Sequence, residues 1–263
     1  MAHHRLTLYH SLTSVCSQKV RLTLAELGMG FDSRVLDLKR GDQFAPDYLK
    51  LNLNAVVPTL MDDDHVVLQS NTIMQHLCVL NPQHPLSSAT ADNAAACSVW
   101  FKRADHFHTA IHAITYVCVN RAKLLALPPE QLEKRFRNIP DPVRSIKLRQ
   151  IVEDGFDSAP VSAALETLGE ILPQLEAATQ AHEWLAGDHA TLADLAIFPF
   201  VHRLYLLGFE QLWGEGDLAR WHKAMMQRPS FQIAVGAVVP ASALENFAAA
   251  GQIAWPQIRV RLQ

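Results

Sequence analysis

The spacing of apolar residues changes character near residue 80. Before that point short strand-like and helix-like stretches take turns. Arg5 to Tyr9 predicts a strand, and Ser17 to Leu27 carries Val20, Leu22, Leu24 and Leu27 along one helical face, with Gly28 to end the helix. A second strand is predicted over Asp32 to Asp37, followed by an irregular stretch from Lys39 to Pro46 and a short helix through Leu49. Pro58 opens a third strand to Met61, and the acidic turn Asp62-Asp63-Asp64 leads into a fourth at Val66 to Gln69. Ser70 then caps a helix containing Ile73, Met74 and Leu77. The predicted order is β-α-β-α-β-β-α, a small mixed sheet flanked by helices.

After residue 80 the pattern is helical. Asn81 to Ser88 is rich in Asn, Pro, Gln, His and Ser, which reads as a linker. This gives an α/β domain over 5–80, a linker over 81–92 and an all-α domain over 93–263. Ala91 to Asn120 carries Val99, Trp100, Phe107, Ile111 and Ile114 at three- and four-residue steps, and Leu165 to Ala178, Leu192 to Leu207 and Leu218 to Met226 repeat the theme. Leu127 to Pro160 holds five prolines and many charges, so one or two short helices and a mobile connection are expected there.

Composition narrows the class. Apolar residues make up 49% of the 263 and charged ones 19%, which excludes a disordered or fibrous chain. A formal net charge of −3 argues against a nucleic-acid partner. The start lacks the apolar core of a signal peptide and no run reaches the roughly eighteen apolar residues of a membrane span, so a cytoplasmic protein with no membrane partner is expected. Cys16, Cys78, Cys97 and Cys118 have no C-x-x-C spacing, which points to neither a zinc site nor a disulfide framework.

Several short motifs carry chemistry. Ser14, Cys16 and Ser17 crowd the start of the first helix, where backbone N–H groups and the dipole favour an anion such as a thiolate. Cys16 could equally be a small buried hydrophobe. Ser70 lies at another positive helix end that suits a carboxylate, or is an ordinary cap. The Val57-Pro58 pair opens a strand, a place proline tolerates. Asp105, His108 and His112 fall on one helical face and superficially resemble a metal site, but the catalytic carboxylate of H-E-x-x-H is missing, and no metal is expected. Thr191-Leu192-Ala193-Asp194 has the spacing of a capping box before an apolar helix, a structural feature. Trp213, Trp221 and Trp255 read as packing residues.

Taken in order, Leu8-Tyr9, Ser14-Val15-Cys16-Ser17-Gln18-Lys19-Val20-Arg21, Val57-Pro58-Thr59-Leu60, Gln69-Ser70-Asn71-Thr72-Ile73, and Trp184 to Asp188 followed by Thr191 to Asp194 resemble the glutathione S-transferase superfamily. The resemblance implies a thioredoxin-like N-terminal domain and a helical bundle. Arg137 to Pro142, with its charged continuation to Gly155, resembles an insertion of the bacterial β-etherase-like branch and its fungal relatives.

By that resemblance, the bond before Pro58 is cis and the Val57 backbone pairs with glutathione, the co-substrate. Gln69 and Ser70 hold the γ-glutamyl group, with Gln69 replacing the more usual Glu, and Arg40 or Gln43 meets the glycyl carboxylate. Lys39 and Arg40 also suit a solvated turn around Gly41. Ser14 matches the activating serine of theta-like classes, whereas Cys16-Ser17 matches the Cys-Ser pair of the beta and β-etherase-like branches. Ser14 is the favoured contact, Ser17 the second and Cys16 a modulator. His108, His112 and Tyr116 line the pocket for a small hydrophobic electrophile, or serve in packing between helices. The expected protein is a homodimeric transferase that activates the glutathione thiol for addition, displacement or β-aryl ether cleavage. A thiol oxidoreductase using Cys16 and a non-catalytic glutathione-binding protein are the alternatives.

Overall fold

The structure, a computed structural model, describes residues 4–262. Its first part comprises strand β1 (Leu6–His10), helix α1 (Val15–Glu26), β2 (Asp32–Val35), α2 (Pro46–Leu51), β3 (Thr59–Asp62), β4 (His65–Leu68) and α3 (Ser70–Leu80). The predicted order holds, with strand ends shifted by one or two residues. The sheet order is β2-β1-β3-β4, with β2 parallel to β1 and the other two pairings antiparallel. Alternation along β1 turns Leu6 and Leu8 inward, and Leu8 lies opposite Leu60 of β3, both fully sequestered. Each such leucine stabilises the fold by about 1.5–3 kcal/mol relative to exposure.

The second part comprises α4 (Pro85–Asp92), α5 (Ala94–Thr115), α6 (Arg121–Leu125), α7 (Pro129–Arg137), α8 (Pro142–Asp154), α9 (Ala159–Ala181), α10 (Leu192–Leu206), α11 (Asp217–Gln227), α12 (Pro229–Phe231) and α13 (Ala241–Arg261). A π-helical turn at Tyr116–Asn120 joins α5 to α6. The core of this part lies where α5 packs on both α9 and α10.

One expectation is corrected. Pro85–Asp92, read as part of a linker, is helix α4: Pro85 occupies its first turn and the His84 ring accepts from the Leu86 amide at 3.2 Å. The segment Leu127 to Pro160, where one or two short helices were expected, holds α7 and α8, with Asp141 capping α8 and Leu148, Ile151 and Val152 of α8 buried. The capping box at Thr191 and Asp194 is present, and Asp194 also accepts from the Leu185 amide at 2.9 Å and Trp221 Nε1 at 2.8 Å. Among the described residues, no single helix is long and apolar enough to cross a membrane.

The two parts meet along α1. It packs on α3 within the first part and on α10, α12 and the turn Gln232–Gly236 of the second. Every residue from Ser17 to Leu24 is therefore buried, including Gln18, Lys19, Arg21 and Thr23.

Candidate active site

The start of α1 is shaped by three hydroxyl and thiol groups with different fates. Ser14 is the N-cap, and its hydroxyl accepts from the Ser17 amide at 3.3 Å. Ser17, the second candidate for a thiol contact, is turned inward: its hydroxyl is buried and accepts from the Ser11 amide at 3.3 Å. Cys16 remains half-buried in the first turn, facing His108 of α5, Ser70 of α3 and Lys19 of its own helix.

Those neighbours decide its ionisation. Burial by itself raises the thiol's pKa, but the His108 imidazole, the Lys19 ammonium and the Ser70 hydroxyl together bring it down to about 7 from an ordinary 9.0. The effect is mutual: the Cys16 charge raises the pKa of His108, the more so because Asp105 is near. Burial pushes the Lys19 pKa down, opposed by Cys16 and Asp105. Lys19 Nζ donates to Asn71 Oδ1 at 2.5 Å and lies 5.3 Å from the centre of the Phe200 ring. Asn71 Nδ2 in turn donates to Asp105 Oδ1 at 3.1 Å. A chain of polar groups thus crosses from α1 through α3 to α5 beneath the thiol.

Two buried arginines fix the loop that carries it. Arg21 donates to the carbonyls of Ser11 at 3.1 Å and Leu12 at 2.9 Å, and to the Ala234 carbonyl of the helical part at 2.8 Å. It also donates to His10 Nδ1 at 3.1 Å, which makes Nε2 the protonated nitrogen that meets Ser33 Oγ at 2.8 Å. From α10, Arg203 donates to the Thr13 carbonyl at 2.5 Å and stacks over Phe247. Loop residues 11–13 are consequently held from both sides by charge-assisted bonds, which are about twice as strong as neutral ones.

The residues expected on the glutathione side take varied positions. The Val57-Pro58 bond is cis. Tyr48 Oη donates to the Val56 carbonyl at 2.5 Å and Asn52 Nδ2 to the same oxygen at 3.0 Å, which anchors the approach to that bond. Gln69 is exposed at the N-cap of α3 with φ of 68°, and Ser70 follows it half-buried. Gln43 is buried, with Nε2 3.5 Å from the Leu38 carbonyl and Oε1 lacking a partner. Arg40 is exposed, and its amide bonds to the Asp37 carboxylate at 3.3 Å in a solvated turn.

On the opposite wall, His108, His112 and Tyr116 rise along α5 as a column of rings, with centroids 6.1 and 5.6 Å apart. They do not form a metal triad with Asp105, because Asp105 serves Asn71 while His108 faces Cys16. Two guanidinium groups complete the wall. Arg135 of α7 donates to the Lys39 carbonyl at 2.9 Å and the Leu38 carbonyl at 3.0 Å, and Arg144 of α8 donates to the Asn54 carbonyl at 2.9 Å. Burial raises the Tyr116 pKa, and both arginines oppose that rise. This end of α5 is thus aromatic and cationic.

Sequence reasoning missed Lys19, Arg21, Asn71, Arg135, Arg144 and Arg203. Lys19 and Arg21 stood inside the motif quoted for the thiol end, and their signal was a charge on a helix flanked by apolar residues. The others gain meaning only through partners far along the chain.

Models of the glutathione S-transferase N-terminal domain and C-terminal domain match residues 4–78 and 121–229. The tetrachloro-p-hydroquinone reductive dehalogenase of Sphingobium chlorophenolicum is 28% identical over 237 residues, covering 87% of this chain and 95% of the relative. Glutathione S-transferase GstB of Escherichia coli K12 is 25% identical over 240 residues, covering 90% and 100%. Among solved structures, the β-etherase LigF from Sphingobium sp. aligns with a TM-score of 0.80 at 24% identity, over 88% of this chain and 99% of that one.

Proposed function

This chain belongs to the glutathione S-transferase family, and we propose that it is a glutathione-dependent enzyme in which Cys16 carries the glutathionyl group. The observation that supports this reading most is the pairing of Cys16 with His108 at a helix start, which brings the thiol to about 7. An attacking thiol is most effective when its pKa lies near the ambient pH, because it is then substantially ionised yet still nucleophilic.

In the proposed cycle the Cys16 thiolate attacks the glutathione sulfur of a mixed disulfide. The Cys16–glutathione disulfide forms, the other sulfur leaves as a thiolate, and that thiolate takes the proton from the His108 imidazolium. A free glutathione then gives its thiol proton to His108, and the resulting thiolate attacks the glutathione sulfur on Cys16. Oxidised glutathione departs with the Cys16 thiolate and His108 imidazolium restored. The first relative's name specifies a reductive reaction, which is in keeping with a thiol that delivers electrons.

The second wall supports an aromatic substrate bearing an anionic oxygen. A ring stacked along His112 and Tyr116 would present such an oxygen to Arg135 and Arg144. A second reading, direct conjugation of glutathione to an electrophile, is supported by Ser14: its oxygen accepts from the Ser17 amide while its proton stays available to a sulfur. Cys16→Ser separates the two. Deglutathionylation of a small mixed disulfide is expected to fall by roughly a hundredfold or more while glutathione binding persists. Undiminished turnover would remove Cys16 from the mechanism and leave conjugation through Ser14.

A further inference from the structure

We propose a divalent-metal site at the end of the sheet remote from the cleft, formed by His4, Asp62 and Asp63, braced by His76, and suited to a borderline cation such as zinc. Strand β1 begins there, since Asp62 pairs with Leu6, and ends at His10 just before the loop that leads to α1 and Cys16. The site and the loop before Cys16 therefore sit at opposite ends of one strand.

The backbone brings the ligands together. Asp62 ends β3 opposite His65 of β4, with Asp63 in the turn between them. The Asp63 amide donates to the Arg5 carbonyl at 3.0 Å, and the Asp63 carboxylate accepts from the Arg5 amide at 3.3 Å. These bonds hold the segment before β1 alongside the turn, so that His4 Nδ1 lies 2.7 Å from Asp62 Oδ1. On the other side, His76 Nε2 of α3 lies 2.9 Å from Asp62 Oδ2. The ligating atoms of His4, Asp62 and Asp63 all fall within 4.8 Å of one another, and among the described residues no other His, Cys, Asp or Glu group converges in this way.

The donor set has the chemistry of a zinc site. One imidazole nitrogen and two carboxylate oxygens are ligands that zinc takes at about 2.0–2.2 Å with a fourth position left for water. A cation there would take the place of the proton between His4 and Asp62, with the three side chains turning to close the shell. Asp62 is buried at 7% exposure, and His76 on its second oxygen would orient it as outer-sphere partners orient metal-binding carboxylates. The His65 ring, 6.0 Å from that of His76, adds a further imidazole at the rim. The bound cation would tie the segment before β1 to the hairpin and α3.

Chelator-treated full-length protein titrated with zinc chloride in a calorimeter is expected to bind one equivalent at this site and to unfold at a higher temperature. Cobalt(II) at the site should show the visible bands of a nitrogen–oxygen shell without the thiolate charge-transfer band that binding at Cys16 would give. His4→Ala changes a side chain at the edge and is expected to weaken binding about tenfold or more without unfolding the protein, and Asp62→Asn to do the same. Cys16→Ser should leave the affinity unchanged. No saturable binding, an unaltered affinity in His4→Ala, or a thiolate band that accounts for all bound cobalt would each overturn the proposal.

Discussion

Two clusters of ionisable groups are withdrawn from water in this molecule, and they respond oppositely. Around Cys16, the thiol and the His108 imidazole each favour the charged form of the other, and Cys16 and Asp105 oppose the burial that lowers the Lys19 pKa. In the core of the helical part, His202 Nδ1 and His222 Nε2 lie 3.1 Å apart among Phe198, Phe231 and Tyr205. There burial, with the positive charges of His222 and Arg203 adding to it at His202, lowers His202 to about 3, and burial lowers His222 to about 4. Desolvation acts on both clusters. A partner of opposite sign turns the first into reactive chemistry, and its absence leaves the second as neutral packing.

The comparison is tested most severely at Asp194, where a buried carboxylate survives because four donors surround it. Its pKa is nevertheless raised, chiefly by burial. Asp194→Ala removes the capping box and strands the Leu185 amide and Trp221 Nε1. A loss of about 3 kcal/mol or more in urea unfolding is expected, with the cleft chemistry retained in whatever remains folded.

The paired histidines make the next largest change. Their folded pKa values lie below the 6.5 of an unfolded histidine, so the unfolded chain takes up protons that the folded one refuses. Stability contributed by this pair is complete above pH 6.5 and is lost progressively as the pH falls toward 4 and then 3. Unfolding free energy measured against pH should show this slope, and His222→Phe should flatten it. An unchanged slope in that variant would show that other groups govern acid sensitivity.

A smaller effect is expected at His108. Replacement by Gln removes the first of the influences that lower the Cys16 thiol, so the pH–rate profile for deglutathionylation should move to higher pH and the rate at pH 7 fall roughly tenfold, equivalent to one unit of pKa. Iodoacetamide labelling of Cys16 should move with it. The smallest change concerns the cationic wall: Arg144→Ala is expected to raise KM several-fold for aromatic substrates with a carboxylate or phenolate and to leave neutral ones unaffected, in keeping with an exposed charge pair of up to about 1 kcal/mol.

Much of the first part was legible because local signals agreed. Alternation at Leu6 and Leu8, the periodic apolar face of α1, and turn residues between strands all pointed to one order of elements. The capping box at Thr191 was equally readable, since both its partners lie within one turn. Helix α4 was missed because its Pro, Ser and His residues resemble a linker, although proline in a first turn is also a helix start. Helices α7 and α8 lie where one or two short helices were expected; their cohesion, which charge-rich composition does not reveal, comes from burying Phe136, Leu148, Ile151 and Val152.

By itself the sequence determined the β-α-β-α-β-β-α order, the helical second part and the presence of two serines and a cysteine at one helix start. Periodicity, caps and turns act within a few residues, so they can be read from the chain. Tertiary structure decided which backbone groups engage Ser14 and Ser17 and what charge Cys16 meets. Ser14 and Ser17 are engaged by the backbone, and Cys16 meets His108 only because α5 packs across the domain boundary. Packing of α10 and the turn Gln232–Gly236 on α1 buries Lys19 and Arg21 on a helix face that periodicity alone would have given to water. The physical reason is range: hydrogen bonds within a turn are specified locally, whereas desolvation and charge pairing depend on whichever distant elements close over a residue.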